Sequence, residues 1–395
     1  MWFYRKYKRG FKCIFVCLFS YCFIYIIRIF MSSSDGIKPY VKYFSDRNFN
    51  KNVSKKILIW TPFLSDTIIE YFEKCKCTFT VNKSEITTAD AVIFQNYDLF
   101  PKSVNWEIGT KTTISFPTYR RPDQVWILFN MEPPSNMFWD TAILNGMFNW
   151  TAWYRQDATL MWLYGNKYTL NHSESHNARK LFGNTNFHKE KSREVAGMIS
   201  NCKDQAERYK LVYKIQKYVT VDMYGGCYDR PCGSAMKPKS CDETLKKYKF
   251  YLALENSLCK DYVTEKYWNA LKREQIPIVN WKNISENIVI PNSYINVFDF
   301  KDIKSLANYV KKVSSNATLY NSYFQWKTKY KDKGTPVTFE LCRLLSRNSY
   351  QRQVYSDFGN WIRDDICPKV TVVNNMKKQG NWWLFQKLGI DISFL

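Results

Sequence analysis

The sequence predicts an α/β protein built from parallel-strand units, and three observations carry that reading. Residues 249–281 run strand, loop, helix, strand, with Phe250, Leu252 and Leu254 alternating with Tyr251 and Ala253 at the two-residue period of a strand. Residues 195–226 repeat the plan: apolar runs at 195–199 and 219–223 flank a helical stretch, and the second run ends on Tyr224-Gly225-Gly226. Upstream, the run Ile57-Leu-Ile-Trp60 reads as a buried strand that starts a folded body.

The chain has 395 residues, enough for two domains plus appendages. Residues 1–12 carry Arg5, Lys6, Lys8, Arg9 and Lys12 and no acid, and read as a cytoplasmic tail. Residues 13–31 are almost wholly apolar, near the lower length limit for a membrane-spanning helix, with Arg28 able to snorkel outward. They predict a single signal-anchor, a cleaved signal peptide being the alternative. The positive-inside rule then puts everything after Met31 in a lumen. Residues 32–56 are polar and read as a short stem.

Composition narrows the partners. The chain is 45% hydrophobic and 17% aromatic, which suits a packed globular body. Lys and Arg outnumber Asp and Glu by 58 to 35, giving a net charge of +23. That balance suits nucleic acid, an anionic membrane or a phosphorylated ligand. The charge is spread along the chain without a zinc-finger or RRM signature, so nucleic acid is not expected. A lumenal body agrees with Asn-x-Ser/Thr sequons at Asn52, Asn82, Asn171, Asn283 and Asn316. A sixth, Asn149, sits in an apolar block and is a doubtful acceptor. Outside the apolar segment nine cysteines remain: Cys75, Cys77, Cys202, Cys227, Cys232, Cys241, Cys259, Cys342 and Cys367. Disulfides are expected in that compartment, and zinc on Cys227, Cys232 and Cys241 is the weaker alternative.

Taken in order, residues 57–60, 75–81, 89–94 and 127–130 read as strands. Gln95 and Asn96 follow the third; Met131-Glu132-Pro133-Pro134-Ser135 follows the fourth. A carboxylate fixed between a strand end and two prolines suits a general base, which must sit within hydrogen-bond reach of the hydroxyl it deprotonates. Tyr154, Arg155 and Asp157 either line an inter-domain cleft or form a structural Arg–Asp pair. Residues 166–191 are polar and hold His172, His176 and His188; they read as an inter-domain linker with surface histidines. A helix is expected from about Asp204 to Lys217. Thr264 is the expected N-cap of another, with Glu265 and Lys266 in its first turn and Tyr267, Ala270 and Leu271 on its apolar face. Such a helix start beside a strand's carboxyl end suits an anion, above all a phosphate. A further helix is expected over 303–313, and Cys342 with Cys367 could close one loop.

The polar cluster closely resembles the donor-binding signature of the α-1,3-fucosyltransferases, glycosyltransferase family 10. Glu255, Asn256, Ser257, Asp261, Tyr262, Thr264, Glu265 and Lys266 match that signature in identity and spacing, with Leu254 in place of a Phe. Asn130-Met-Glu-Pro-Pro resembles the family's N-x-E-S-P block, Pro133 replacing Ser. Gln95-Asn96 stands where the family often has His-His. Arg208 falls eight residues after Ser200, as in the family, and Tyr323-Phe-Gln-Trp-Lys327 matches its Y-F-x-W-K. The Cys202, Cys227, Cys232, Cys241 and Cys259 pattern resembles invertebrate and plant members and implies a disulfide clasp over the donor site. The resemblance spans roughly residues 56–370.

It implies a GT-B-like fold: two Rossmann-like domains with an inter-domain cleft, an acceptor-side domain over 57–190, a GDP-fucose-binding domain over 191–350 and an extension over 351–395. The implied enzyme is a glycosyltransferase that moves L-fucose from GDP-β-L-fucose, with inversion, to O3 of GlcNAc in a glycan. The resemblance assigns Glu132 as general base and puts Glu265 beside the oxocarbenium-like transition state. Arg208 and Lys266 then face the pyrophosphate, and Asn256 and Tyr262 hold the ribose and base, with Tyr224 and Glu255 completing the donor site. No bound cofactor or metal site is implied, with room for stimulation by added Mn2+ or Mg2+. N-glycan core GlcNAc, LacNAc and LacdiNAc stay open as acceptors. The implied location is the Golgi membrane, single-pass type II. The alternative is a catalytically silent glycan-binding relative of the same fold.

Overall fold

The computed structural model describes residues 41–44, 54–61, 77–96, 99, 116–137, 141–202, 204–228, 230, 232, 239–332, 337–346, 352–363 and 367. The expected tail, signal-anchor, Asn52, Cys75 and residues 381–395 lie outside them. After a short strand β1 (Val41–Phe44) come β2 (Lys55–Ile59), β3 (Cys77–Thr80), β4 (Ala91–Gln95), β5 (Val125–Phe129), β6 (Trp150–Trp153) and β7 (Leu160–Met161). Among the described residues β2–β7 form one parallel sheet in the order β3-β2-β4-β5-β6-β7. A parallel sheet is covered on both faces, which is why its central strands are continuous apolar runs and not alternating ones. Gln95 pairs with Phe129, so Gln95-Asn96 and the loop that carries Glu132 leave the same edge of adjacent strands.

The segment read as a linker is structured. It holds β8 (Lys167–Thr169) and helix α1 (His172–Gly183). Asn171 caps α1 by accepting from Glu174 N, while the Glu174 side chain returns to Asn171 N, a capping box. The helix escapes a periodicity search because only Ser175 of its residues is buried. His172 and His176 are exposed, but His188 is half-buried, with Nε2 2.7 Å from Ser314 O and its ring edge-on to Tyr320.

The second sheet takes β9 (Arg193–Met198), β10 (Val221–Tyr224), β11 (Tyr248–Leu252), β12 (Ile276–Val279) and β13 (Ile295–Asn296), all parallel, in the order β10-β9-β11-β12-β13. Helices α2 (Arg208–Gln216) and α5 (Ile303–Ser315) cover one face through Leu211, Val212, Ile215, Leu306, Val310 and Val313. Helices α3 (Lys239–Leu245) and α4 (Glu265–Lys272) cover the other. Thr264 caps α4 as expected: its side chain accepts from Lys266 N, and Tyr267, Trp268, Ala270 and Leu271 are buried. Gly225 has φ of 98°, and a Cβ there would lie 2.5 Å from Ile199 O, so the turn after β10 requires glycine.

After α6 (Ala317–Ser322) and β14 (Tyr330–Asp332), which pairs with β8, the chain returns to the first sheet. Helix α7 (Val337–Leu345) packs Leu341 and Leu345 against Ile57, Ile93 and Ile127, and Cys342 bridges to Cys77 on β3. β15 (Arg352–Tyr355) pairs antiparallel with β1, and α8 (Phe358–Arg363) sets Phe358 and Trp361 in the core with Phe94, Phe148 and Trp153. Residues read as stem, second domain and extension therefore meet on the first sheet. Arg155 fastens that return. It pairs with Asp157 at 2.6 Å, donates to Trp361 O at 2.6 Å and lies over the Trp361 ring at 3.9 Å. The structural Arg–Asp reading is the one realised.

Among the described residues four disulfides join Cys77–Cys342, Cys202–Cys227, Cys232–Cys241 and Cys259–Cys367. Cys342 and Cys367 do not pair with each other, because α7 carries Cys342 beneath the first sheet while Cys367 meets the loop after β11. Zinc on Cys227, Cys232 and Cys241 is overturned, since all three are held in disulfides. Of the sequons, Asn82, Asn171, Asn283 and Asn316 are exposed. Asn149 is buried and fully engaged: it accepts from Trp126 N and Arg120 Nη2 and donates to Gln353 O.

The two halves touch at Gly165. A Cβ added there would lie 2.3 Å from Cδ2 of Trp268, a buried ring on α4. Gly165→Ala is expected to destabilise the chain by about 1–3 kcal/mol through overpacking, read as a fall in thermal midpoint against wild type.

Candidate active site

The carboxyl ends of the two parallel sheets meet, the usual place for a ligand in open α/β sheets. On one side, β5 runs out into Asn130, Met131 and Glu132. Glu132 N donates to Asn130 Oδ1 at 3.1 Å; Asn130 Nδ2 and Trp153 Nε1 donate to Glu132 O at 3.0 and 2.9 Å. Tyr164 OH donates to Met131 O at 2.9 Å. Buried Pro133 and Pro134 then lead into a single 3-10 turn, Pro134–Asn136. The Glu132 backbone is thus fixed from three sides. Its half-buried carboxylate accepts from Asn136 Nδ2 at 2.8 Å through Oε2.

On the other side, β11 ends at Leu252, and Glu255 follows with 0% exposure. Its Oε1 accepts from Thr264 N at 2.8 Å and from Thr264 Oγ1 at 2.9 Å. Its Oε2 accepts from Lys266 Nζ at 3.1 Å. Asn280 closes the pocket by bonding both the N and O of Glu255. Glu255, counted from the sequence among donor-binding residues, therefore lies beneath Lys266 and is closed to solvent. Lys266, 20% exposed, also donates to Thr264 Oγ1 at 2.7 Å and reaches Glu265 Oε1 at 3.2 Å, while Glu265 itself is half exposed.

Electrostatics follow from this packing. Burial raises the Glu255 carboxyl above its usual range, against the pull of Lys266. For Lys266 burial acts downward, but the Glu255 and Glu265 carboxylates outweigh it, so the ammonium is pushed up and stays charged. Two buried tyrosines, Tyr154 and Tyr262, and the half-buried Tyr164 lie between the two sides. The Tyr262 ring packs at 5.0 Å from Tyr154 and 6.4 Å from Tyr164. Burial raises all three hydroxyls. Tyr164 also feels the Glu132, Glu265 and Glu255 carboxylates, which raise its hydroxyl further.

The remaining sequence-selected residues are placed less directly. Arg208 opens α2 with 4% exposure. Its Nε pairs with Asp204 at 2.8 Å, and Nη1 and Nη2 donate to Leu254 O and Asn201 O. It holds the strand ends together, yet its charge reaches Lys266. Asn256 has a buried Oδ1 without a hydrogen-bond partner, an acceptor suited to a ligand hydroxyl. Tyr262 is buried in the tyrosine cluster and not open to a ligand. The Tyr224 hydroxyl bonds Tyr248 OH at 2.8 Å, at the start of β11, away from the strand ends. Gln95 and Asn96 are buried beside the Glu132 strand, and Oε1 and Oδ1 are unpaired. The sequence reading missed Asn136, Tyr164 and Asn280. Only Asn136 had a signal, its four-residue spacing from Glu132.

A carboxylate thus stands on one sheet edge and a lysine at a helix start on the other, and the comparisons with known proteins give the class of protein that carries them. The family model described as "Fucosyltransferase, N-terminal" matches residues 52–165, and "Glycosyltransferase family 10 (fucosyltransferase) C-term" matches 188–361. The chain belongs to glycosyltransferase family 10, the fucosyltransferases. It is 31% identical over 342 residues to Alpha-(1,3)-fucosyltransferase fut-5 of Caenorhabditis elegans, covering 79% of this chain and 84% of that one. It is 32% identical over 310 residues to human 4-galactosyl-N-acetylglucosaminide 3-alpha-L-fucosyltransferase FUT5, covering 75% and 77%. A crystal structure of alpha1,3-fucosyltransferase with GDP-fucose aligns at 16% identity and TM-score 0.44 over 79% of this chain and 96% of that chain.

Proposed function

We propose that this chain is an inverting α-1,3-fucosyltransferase that moves L-fucose from GDP-β-L-fucose to O3 of a GlcNAc residue in a glycan. The observation that carries the reading is the pair of strand-end loops, Glu132 immobilised after β5 and Lys266 with Glu265 at the start of α4, joined across the two sheets by the Ser135–Ser257 hydrogen bond. The named activities of the relatives above agree with it. In the step, Glu132 takes the proton of O3–H as that oxygen attacks fucose C1. The bond from C1 to the β-phosphate oxygen breaks, and its electron pair leaves with GDP. Glu265 stabilises the cationic ring, while Lys266, the α4 N-terminus and Arg208 from its buried seat offset the charge growing on the pyrophosphate. Asn256 Oδ1 accepts a hydroxyl of the nucleotide. We place the enzyme in the Golgi membrane as a type II protein with a lumenal body.

The test incubates the full chain with GDP-β-L-fucose and a panel of N-glycan core GlcNAc, LacNAc and LacdiNAc acceptors, reading product linkage by NMR. The expected product carries α-linked fucose on O3 of GlcNAc from at least one acceptor. Fucose on another position, a β-linkage, or no transfer across the panel overturns the proposal.

A further inference from the structure

The turn that follows Glu132 is tied to both sides of the site. Asn136, its last residue, donates from Nδ2 to Glu132 Oε2 at 2.8 Å. That leaves Oε1 as the oxygen for an incoming hydroxyl proton. Ser135, in the same turn, donates from Oγ to Ser257 Oγ at 2.8 Å and lies 3.5 Å from Cys259 Sγ, both on the loop of the donor signature. Gln205, just before α2, donates from Nε2 to Ser135 O. A continuous path of hydrogen bonds and one turn of backbone thus runs from the donor loop to the base carboxylate: Ser257, Ser135, Asn136, Glu132. Each partner of Ser135 belongs to the second sheet's loops, while Glu132 belongs to the first.

We propose that Asn136 and Ser135 are positioning residues: Asn136 orients the Glu132 carboxylate, and Ser135 sets its distance from the donor through Ser257. The inference rests on Glu132 being the base. Among the described residues the Asn136 amide is the hydrogen-bond donor to that carboxylate, so it fixes which oxygen stays open to the acceptor hydroxyl.

The test measures kcat and the KM for GDP-fucose for wild type, Asn136→Ala, Asn136→Asp, Ser135→Ala and Glu132→Gln. Asn136→Ala is expected to lower kcat about 10- to 100-fold, the cost of a misplaced reacting group, with KM for donor unchanged. Asn136→Asp is nearly isosteric but sets a second carboxylate against Glu132, so it must lower kcat as well with the same unchanged KM. It keeps the test alive if the alanine variant folds poorly. Ser135→Ala is expected to lower kcat with KM for donor unchanged. Wild-type kcat in the Asn136 and Ser135 variants, with Glu132→Gln silent, overturns the positioning roles alone. Full transfer by Glu132→Gln overturns the base reading itself.

Discussion

Glu132→Gln will lower fucosyl transfer by about 10²–10⁴-fold, the usual contribution of a positioned general base. The substitution is nearly isosteric. The backbone bonds from Asn130, Trp153 and Tyr164 do not involve the carboxylate, so the loop keeps its place. The amide oxygen can still accept from Asn136, which leaves the turn closed. What is lost is the capacity to take a proton from the attacking hydroxyl. The loss must therefore fall on kcat, with KM for GDP-fucose near wild type, because no donor contact is removed. Steady-state kinetics at saturating acceptor check it.

Lys266→Ala will cost both activity and stability, for different reasons. On the proposed mechanism the leaving pyrophosphate loses a cation, worth about 2.7–4 kcal/mol of transition-state stabilisation by analogy with oxyanion donors. At the same time Glu255, 0% exposed, loses the ammonium 3.1 Å away and becomes an uncompensated buried charge. Breaking such a pair from one side costs about 3–5 kcal/mol. Burial already raises the Glu255 carboxyl, and without Lys266 the opposing pull disappears, so it rises further. A carboxyl whose folded pKa lies above its unfolded value favours folding below the unfolded pKa and loses that contribution as pH rises through the folded one. Lys266→Ala should thus be least destabilised in acid. Adding Glu255→Gln should restore the thermal midpoint but not transfer, which separates the two costs.

The donor half of the site was legible because it is local. Thr264 capping α4, the charged first turn and the apolar face all lie within eight consecutive residues, and cap chemistry is readable at that range. The strand edge carrying Glu132 was legible for the same reason, as an apolar run broken by two prolines. Burial of individual polar groups was not. Glu255 and Glu265 share a charge and a motif, yet one is sealed under Lys266 and the other faces solvent, and the Glu255 backbone is held by Asn280, just past β12 and 25 residues away. The chain's return to the first sheet was also hidden, since Cys77 and Cys342 are 265 residues apart. Helix α1 passed as linker because its stability rests on a capping box and not on an apolar face.

The central claim is a division of labour: the second sheet and α4 hold the nucleotide, and Glu132 on the first sheet moves the proton. Calorimetric titration of GDP into the full-length Glu132→Gln and Lys266→Ala chains tests it most directly, with transfer measured on the same samples. Glu132→Gln is predicted to bind GDP as wild type does while transferring almost no fucose, and Lys266→Ala to lose both. Loss of GDP binding by Glu132→Gln, or wild-type GDP binding by Lys266→Ala, would contradict the assignment.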